Sequence, residues 1–367
     1  MRYTLSQKVG HIVRVTLAWF AAFLLFGFIR FYGTIHTDDV AEQLWSSAPR
    51  VYMSQIFIAA VITGLLYGLV DLFVDKPKYQ RWSFWRLMAL KGTLHFFIIL
   101  ITLTALLIGR VRLGIVEFTD LNISVAYILN NKSFQVFVVL FTLTSWLMNA
   151  YQQMNQKFGR GVLIEMLLGQ YHKPQEADRI LMFIDLKSSV HIAEELGHIQ
   201  YSLLLQDCYF DLNTQLSRYK AKIYQYVGDQ VVLHWSLEDG LQDSNCIRCF
   251  FAFINRLKER EEHYMKSYGL SPYFKAGAHL GRVTVAEVGV LKRSIAFHGD
   301  TVNTASRIHD QCNDYQQQLL VSRDLLSRLV DKSDLKYVFV GDEILKGKHH
   351  SMELYGIQDV STQGSLG

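Results

Sequence analysis

The sequence predicts a chain of two unlike halves, a membrane α-helical N-terminal half and an α+β C-terminal half. Three observations carry that reading. Half of the 367 residues are hydrophobic, yet the 19% that are charged are unevenly spread. Four long apolar stretches fall in the first half, and short strand-like runs alternate with helical patterns in the second. The net charge of +4, with no basic block interleaved with aromatics, argues against a nucleic-acid partner. The four cysteines, Cys208, Cys246, Cys249 and Cys312, all lie in the second half and are too few for a disulfide framework, which fits a reducing compartment. Cys246 and Cys249 have redox or zinc spacing, but they stand in a helical run without a second Cys/His pair and read as helix packing.

Arg2, Lys8 and Arg14 lead into the apolar stretch Val15 to Ile29. It ends in Arg30-Phe31-Tyr32 without a small-residue cleavage site, so it reads as a retained span, not a signal peptide. Val51 to Val70 is uncharged and long enough to cross a hydrocarbon core of about 30 Å. Further apolar stretches, Gly92 to Gly109 and Ser133 to Gln156, complete a membrane domain over 1–154, with spans near 11–30, 51–71, 87–109 and 133–151. Basic residues before the first span, and Lys76, Lys78, Arg81 and Arg86 between the second and third, place both termini on the cytoplasmic side of a cell (inner) membrane. The lipid bilayer is then a partner. Asp71, Lys91 and His95 are ionisable groups at span depth, which can mark a site; their plain reading is snorkelling plus an Asp71 to Lys91 contact between neighbouring spans. Residues 155–178 form a connector: Phe158-Gly159-Arg160-Gly161 breaks the last helix and Val162 to Leu168 begins a short amphipathic turn.

Three motifs organise the second half. Ile180 to Leu186 reads as a buried strand that carries Asp185 to its end, where Lys187, Ser188 and Ser189 can open a helix with free backbone N–H groups. That is a phosphate cradle beside a carboxylate. Lys222 to Val227 and Gln230 to Trp235 read as two strands joined at Gly228-Asp229, a hairpin turn that holds Asp229 at the sheet's edge. Two carboxylates on adjacent strand ends suit hard divalent cations such as Mg²⁺. The third motif, Phe297 to Ile308, reads as a loop followed by a helix capped near Asp300. Asn303 and Arg307 then share one helical face, as an amide and a guanidinium able to hold a ribose and a phosphate.

In this order and spacing the three motifs resemble the catalytic domain of class III nucleotidyl cyclases, the adenylate and guanylate cyclase family. The resemblance runs over about 179–360, leaving 361–367 as a tail. It implies a ferredoxin-like sheet with helices on one face and a reaction in which the ribose 3′ oxygen attacks the α-phosphate and expels pyrophosphate. It implies two Mg²⁺ (or Mn²⁺) held by Asp185, Asp229 and the Leu186 carbonyl, with Asn303 orienting the ribose and Arg307 stabilising the transition state. Lys187, Ser188, Ser189 and Lys346, the last in the Ile344 to Lys348 loop, would meet the phosphates. The family's metal aspartates face the Asn and Arg of a second subunit, so a homodimer is implied, with residues 155–178 resembling a transducing segment.

The base-reading positions depart from the family. Where it places Lys with Asp or Thr for adenine, or Glu with Cys for guanine, this chain has Gln225 and Ala296. Gln225 both donates and accepts hydrogen bonds, and Ala296 does neither through its side chain. ATP is the expected substrate, making the chain an adenylate cyclase in intracellular signalling. A guanylate or pyrimidine nucleotide cyclase, or a catalytically silent cyclase-like receptor, stands as the alternative. Elsewhere, helices are expected at Ser189 to Leu196, His198 to Tyr219 and Leu241 to about His263. Strands are expected at Tyr273 to Leu280, Arg282 to Val288, Leu319 to Ser322, Tyr337 to Val340 and Met352 to Ile357.

Overall fold

The structure is a computed structural model, and it describes residues 5–34, 49–74, 82–112, 132–158, 169, 172–290, 293–330, 335–344 and 351–359. The chain divides into two compact units, Met1–Phe158 and Gly159–Gly367. Half of the expected connector (159–168, 170 and 171), Lys346 with most of its loop, and the 361–367 tail lie outside the described residues.

Among the described residues the first unit contains four helices, α1 (Leu5–Thr34), α2 (Pro49–Val74), α3 (Phe84–Arg112) and α4 (Lys132–Phe158). Stretches in the first three, Lys8–Phe28, Phe57–Val74 and Trp85–Thr102, are long and apolar enough to cross a membrane. Their packing is inside-out relative to a soluble bundle: Leu17, Leu25, Ile101 and Val139 are exposed, while Asp71, Lys91, His95 and Asn149 are buried. Trp19, Tyr67, Ile99 and Phe141 bring the four helices to one apolar core. Beside it, Asp71 accepts hydrogen bonds from Lys91 at 3.0 Å and Gln152 at 3.0 Å and faces the His11 ring at 3.3 Å. The Nδ1 of His95 meets Asn149 at 3.0 Å and Ser145 at 3.3 Å, and its ring stacks on Tyr67. The Asp71 to Lys91 contact is as expected, but the ammonium does not snorkel: Lys91 is 3% exposed. A buried carboxylate supplies a nearer partner than the interface does.

The second unit is built on one sheet, with strands β1 (Gln175–Leu186), β2 (Lys222–Val227), β3 (Gln230–Ser236), β4 (Phe274–Val288), β5 (Ser294–His298), β6 (Leu319–Ser322), β7 (Leu335–Glu343) and β8 (Met352–Asp359). Its order is β2-β3-β1-β4-β6-β8-β7, with β5 added to β4. Among the described residues only β4 with β6 pairs in parallel; the other pairings are antiparallel. The α-helices of this unit among the described residues are α5 (Ser189–Leu216), α6 (Leu237–Leu241), α7 (Asn245–Glu259), α8 (Glu261–Tyr268), α9 (Asp300–Asp310) and α10 (Arg323–Arg328).

Strand alternation sorts the two faces. Ile180, Met182, Ile184, Leu233, Trp235, Ala276 and Ala278 pack with Leu204, Cys208 and Leu212 of α5 and with Cys246, Phe250 and Phe253 of α7. Both cysteines of the pair are free and buried there, and burial pushes the Cys246 thiol up to about 12, as packing residues require. The opposite face, Leu181, Phe183, Val232, Val283 and Val285, takes Phe297 and Ala305. Helices therefore cover both faces, not one. The reason is close approach: a Cβ at Gly277 would overlap the backbone of His309, and one at Gly281 would overlap Thr301, so only a glycine-bearing β4 lets α9 lie flat on it.

Several boundaries move. The expected strands on either side of Gly281 are one continuous β4, because β1 pairs with it from Gln175 to Leu186. The expected single helix from Leu241 to His263 is interrupted at Ser244, in a left-handed conformation, and at Arg260. Gly197 breaks α5 as foreseen. Strand β5 and helix α10 carry too few residues to announce themselves by period.

Candidate active site

Asp185 is the last but one residue of β1, in register with Gln230 of β3 and Lys275 of β4. It points to the face that α9 covers, because it alternates with Ile184 and Leu186 in the main core. The turn beyond β2 is made by Gly228 at φ 62°, a left-handed conformation that glycine adopts without strain. This delivers Asp229 to the same sheet end. Tyr209 of α5 fixes the turn by donating its hydroxyl to the Gly228 carbonyl at 3.2 Å, and its ring packs on Tyr226.

The two carboxylates face each other. Burial, then the neighbouring Asp229, raise the Asp185 carboxyl to about 7, against the opposing pull of Lys275 and of the Leu186 amide. Asp185 Oδ1 is buried without a hydrogen-bond partner. Paired acids with an orphaned oxygen are what a hard cation resolves, so these residues fit a divalent metal. Among the described residues no group of three His, Cys, Asp or Glu side chains gathers. An Mg²⁺ held by one or two carboxylates plus substrate phosphates matches such a sparse donor set.

Ser188 sits in the left-handed region, φ 59° and ψ 32°, just before α5, and makes no side-chain cap. A left-handed residue beside a helix start turns consecutive amides inward and suits an anion. The cradle is smaller than the sequence suggested, because the Lys187 amide is not free: it donates to the Tyr273 carbonyl at 2.9 Å. The Lys187 ammonium lies over the Tyr273 ring at 5.4 Å. Leu186 buries its side chain in the main core, which pins the backbone that follows Asp185.

On α9, Thr301, Thr304, Ala305, Ile308 and His309 are buried. Asn303 is exposed and Arg307 half-buried, so the pair occupies the outward face, one turn apart. The cap lies one residue earlier than expected, at Gly299, and Asp300 is the first helical residue, where its charge complements the helix dipole. The structure brings Asp185 and Asp229 together but joins neither to Asn303 or Arg307 of the same chain by a hydrogen bond or ion pair among the described residues. Gln225 is exposed on β2, just past a register shift between Ile223 and Gln225. Ala296 pairs with Ala286. Their neighbours Tyr224 and Phe297 stack at 4.5 Å, and the Phe297 amide donates to the Tyr224 hydroxyl at 3.1 Å.

Two residues near the acids were not foreseen. Lys275 reaches them through strand register, and His309 of α9 places Nε2 3.9 Å from Asp185 Oδ2. Burial and Lys275 lower the His309 ring to about 4, so it stays neutral. His309 follows Arg307 by two positions, which could have been read as the sheet-facing side of the same helix.

Fold and site define an α+β domain whose sheet ends in paired carboxylates suited to a cation and a phosphate chain. The model of the adenylate and guanylate cyclase catalytic domain matches residues 172–359, and the chain belongs to that family. Among curated proteins it is similar to "Adenylate cyclase 2" of Rhizobium meliloti (strain 1021), 32% identical over 214 residues, which is 58% of each chain. "Adenylate cyclase 1" of the same organism is 29% identical over 185 residues, 49% of this chain and 27% of that one. The chain thus spans 58% and 27% of the length of these two relatives. A solved structure of a bacterial light-regulated adenylyl cyclase shares the fold, with a TM-score of 0.52 and 19% identity over 63% of this chain and 67% of that one.

Proposed function

We propose that the chain is a membrane-anchored, homodimeric adenylate cyclase that converts ATP to 3′,5′-cyclic AMP and pyrophosphate. The observation that carries this reading is the division of labour on one domain. Asp185 and Asp229 converge at one sheet end, while Asn303 and Arg307 stand on the outward face of α9, which supports their meeting a nucleotide held by another subunit. A two-fold dimer would then form two equivalent composite sites.

In this reading Asp185, Asp229 and the Leu186 carbonyl hold two Mg²⁺ or Mn²⁺. When bound, these ions lower the charge on the phosphates and acidify the ribose 3′ hydroxyl. The chain's own residues do the positioning. Amides around Ser188 and Ser189, with Lys187 and Lys346, hold the phosphate chain. Asn303 fixes the ribose, which aligns its 3′ oxygen with the α-phosphate, and Arg307 neutralises the oxygens that gain charge as the bond to pyrophosphate breaks. Gln225 meets the base with an amide that can donate or accept. Both adenylate cyclase relatives support ATP as substrate. The three apolar helices, with α4 as a fourth span, anchor the enzyme, and basic loops put both termini on the cytoplasmic side of the cell (inner) membrane.

The test is turnover by the full chain in membranes, offered each of the four nucleoside triphosphates with Mg²⁺ or Mn²⁺. Cyclic AMP from ATP is expected; a preference for GTP or a pyrimidine triphosphate would move the assignment, and silence with all four would leave a cyclase-like receptor. The composite site has its own test. Asp229→Ala and Arg307→Ala chains, each inactive alone, should regain up to roughly a quarter of wild-type activity when co-expressed, since about half of randomly paired dimers are mixed and each of those holds one intact site of two.

A further inference from the structure

A cavity of about 380 Å³ lies on the sheet face covered by α5 and α7, between the C-terminal end of α5, the polar side of α7 and the paired ends of β7 and β8. Its largest wall is one helical stripe. Arg248, Ala252, Asn255, Arg256 and Glu259 recur at the three- and four-residue spacings that align side chains on a helix, while Cys249, Phe250, Phe253 and Leu257 turn into the core. Ala252 sits in the middle of the stripe, and its small side chain leaves the space open. Gln215 at the end of α5 and Arg218 in the turn that follows it close the cavity on one side, and Tyr219 and Phe251 give it aromatic surface.

Charge and shape point to one kind of occupant. Three guanidinium groups face two carboxylates, Glu259 and Asp359. Glu259 is already held by Arg256 at 2.8 Å, and Arg256 is further tied to Asp211 at 3.4 Å. Arg218 is exposed, and its guanidinium rests over the Tyr219 ring at 5.5 Å; among the described residues no carboxylate engages it. A planar fork held against an aromatic ring is poised for a phosphate, which it can bind with two parallel hydrogen bonds. The Gln215 and Asn255 amides can read polar edges of an attached body, and the volume is within the roughly 300–1,000 Å³ of small-molecule sites.

We infer that this cavity binds a small organic phosphate of about mononucleotide size, at a site separate from Asp185 and Asp229. The inference does not depend on the cyclase assignment. The test titrates AMP, inorganic phosphate and citrate into the full chain in detergent with EDTA, where metal-dependent binding at the aspartates is removed. Saturable AMP binding is expected, unchanged in Arg307→Ala and weakened at least tenfold in Arg218→Ala. Filling the space with Ala252→Leu should weaken it similarly while every charge remains, and melting curves establish that both variants fold. Weaker binding of phosphate than of AMP would support an organic phosphate, whereas citrate binding as tightly as AMP would replace that class by anions in general. Absence of saturable AMP binding, or binding lost in Arg307→Ala and indifferent to Arg218→Ala, would overturn the site.

Discussion

At the level of single residues, two half-buried groups titrate in opposite senses. The ring of His234 packs edge-on against Phe297, and burial, reinforced by Arg179 and Lys222, lowers it from 6.5 to about 3. The folded state thus prefers the neutral ring, so the associated stability is complete above pH 6.5 and is lost as the pH falls toward 3. Replacing it, His234→Phe, should flatten that acid limb in melting curves taken across pH; an unchanged limb would deny that the ring is held neutral. Asp185 runs the other way. Its raised carboxyl favours the protonated form, so the contribution of Asp185 to the stability of the metal-free protein is complete below pH 3.8 and is lost as the pH climbs through about 7. Asp229→Asn removes the like charge and should remove the part of that loss that burial does not cause, measured in EDTA, whereas in the presence of Mg²⁺ the same variant should lose at least a hundredfold in turnover. Stability and catalysis then respond to one substitution with opposite signs, which a merely structural aspartate would not do.

Elements obey the same accounting through contact rather than charge. Because α9 rests its backbone against Gly277, Gly277→Ala should push the helix off β4, costing about 1–3 kcal/mol and lowering the melting temperature by a few degrees, with a larger fractional loss of activity because Asn303 and Arg307 ride on that helix. Retained stability with full activity would refute the close approach. In the membrane unit, Asp71→Ala would leave the buried Lys91 ammonium without its carboxylate, at a cost of about 3–5 kcal/mol, while Asp71→Leu with Lys91→Met should recover most of it in detergent melts. How much of this was legible in the sequence depends on range. The end of β1 at Asp185 and the hairpin showed themselves locally, since an apolar strand run and a Gly-Asp turn are neighbours in sequence, and the shared face of Asn303 and Arg307 followed from helical spacing; the start of β1 at Gln175, five residues before the expected Ile180, did not. The packing of α9 on the second face was not legible, because it rests on Gly277 and Gly281 meeting residues about 20 to 30 positions later. The same holds for Lys275 beside Asp185, which strand register alone creates. Lys187's amide looked free for the same reason: its acceptor, Tyr273, is remote in sequence.

For the molecule as a whole, the chain divides into the units Met1–Phe158 and Gly159–Gly367, and α4 is the last helix described before the second begins. Its rotation within the bundle is fixed by polar contacts, Asn149 to His95 and Gln152 to Asp71, and the helix continues from there to Phe158. In a composite site the attack geometry depends on how two catalytic domains are turned against each other, and misplacement by about 1 Å can cost a hundredfold in rate. Inserting residues after Met154 therefore tests whether rotation is transmitted. Each added residue turns the following helix by about 100°, and seven nearly restore the phase. Cyclase activity in membranes should oscillate with insertion length, low at one or two residues and recovering at seven, with expression and dimerisation unchanged. Gln152→Ala, which releases α4 from Asp71, should damp that oscillation without abolishing turnover, since the residue touches none of the catalytic groups. A flat response from one to seven residues would mean that the helices anchor the enzyme and that the connector is a passive tether.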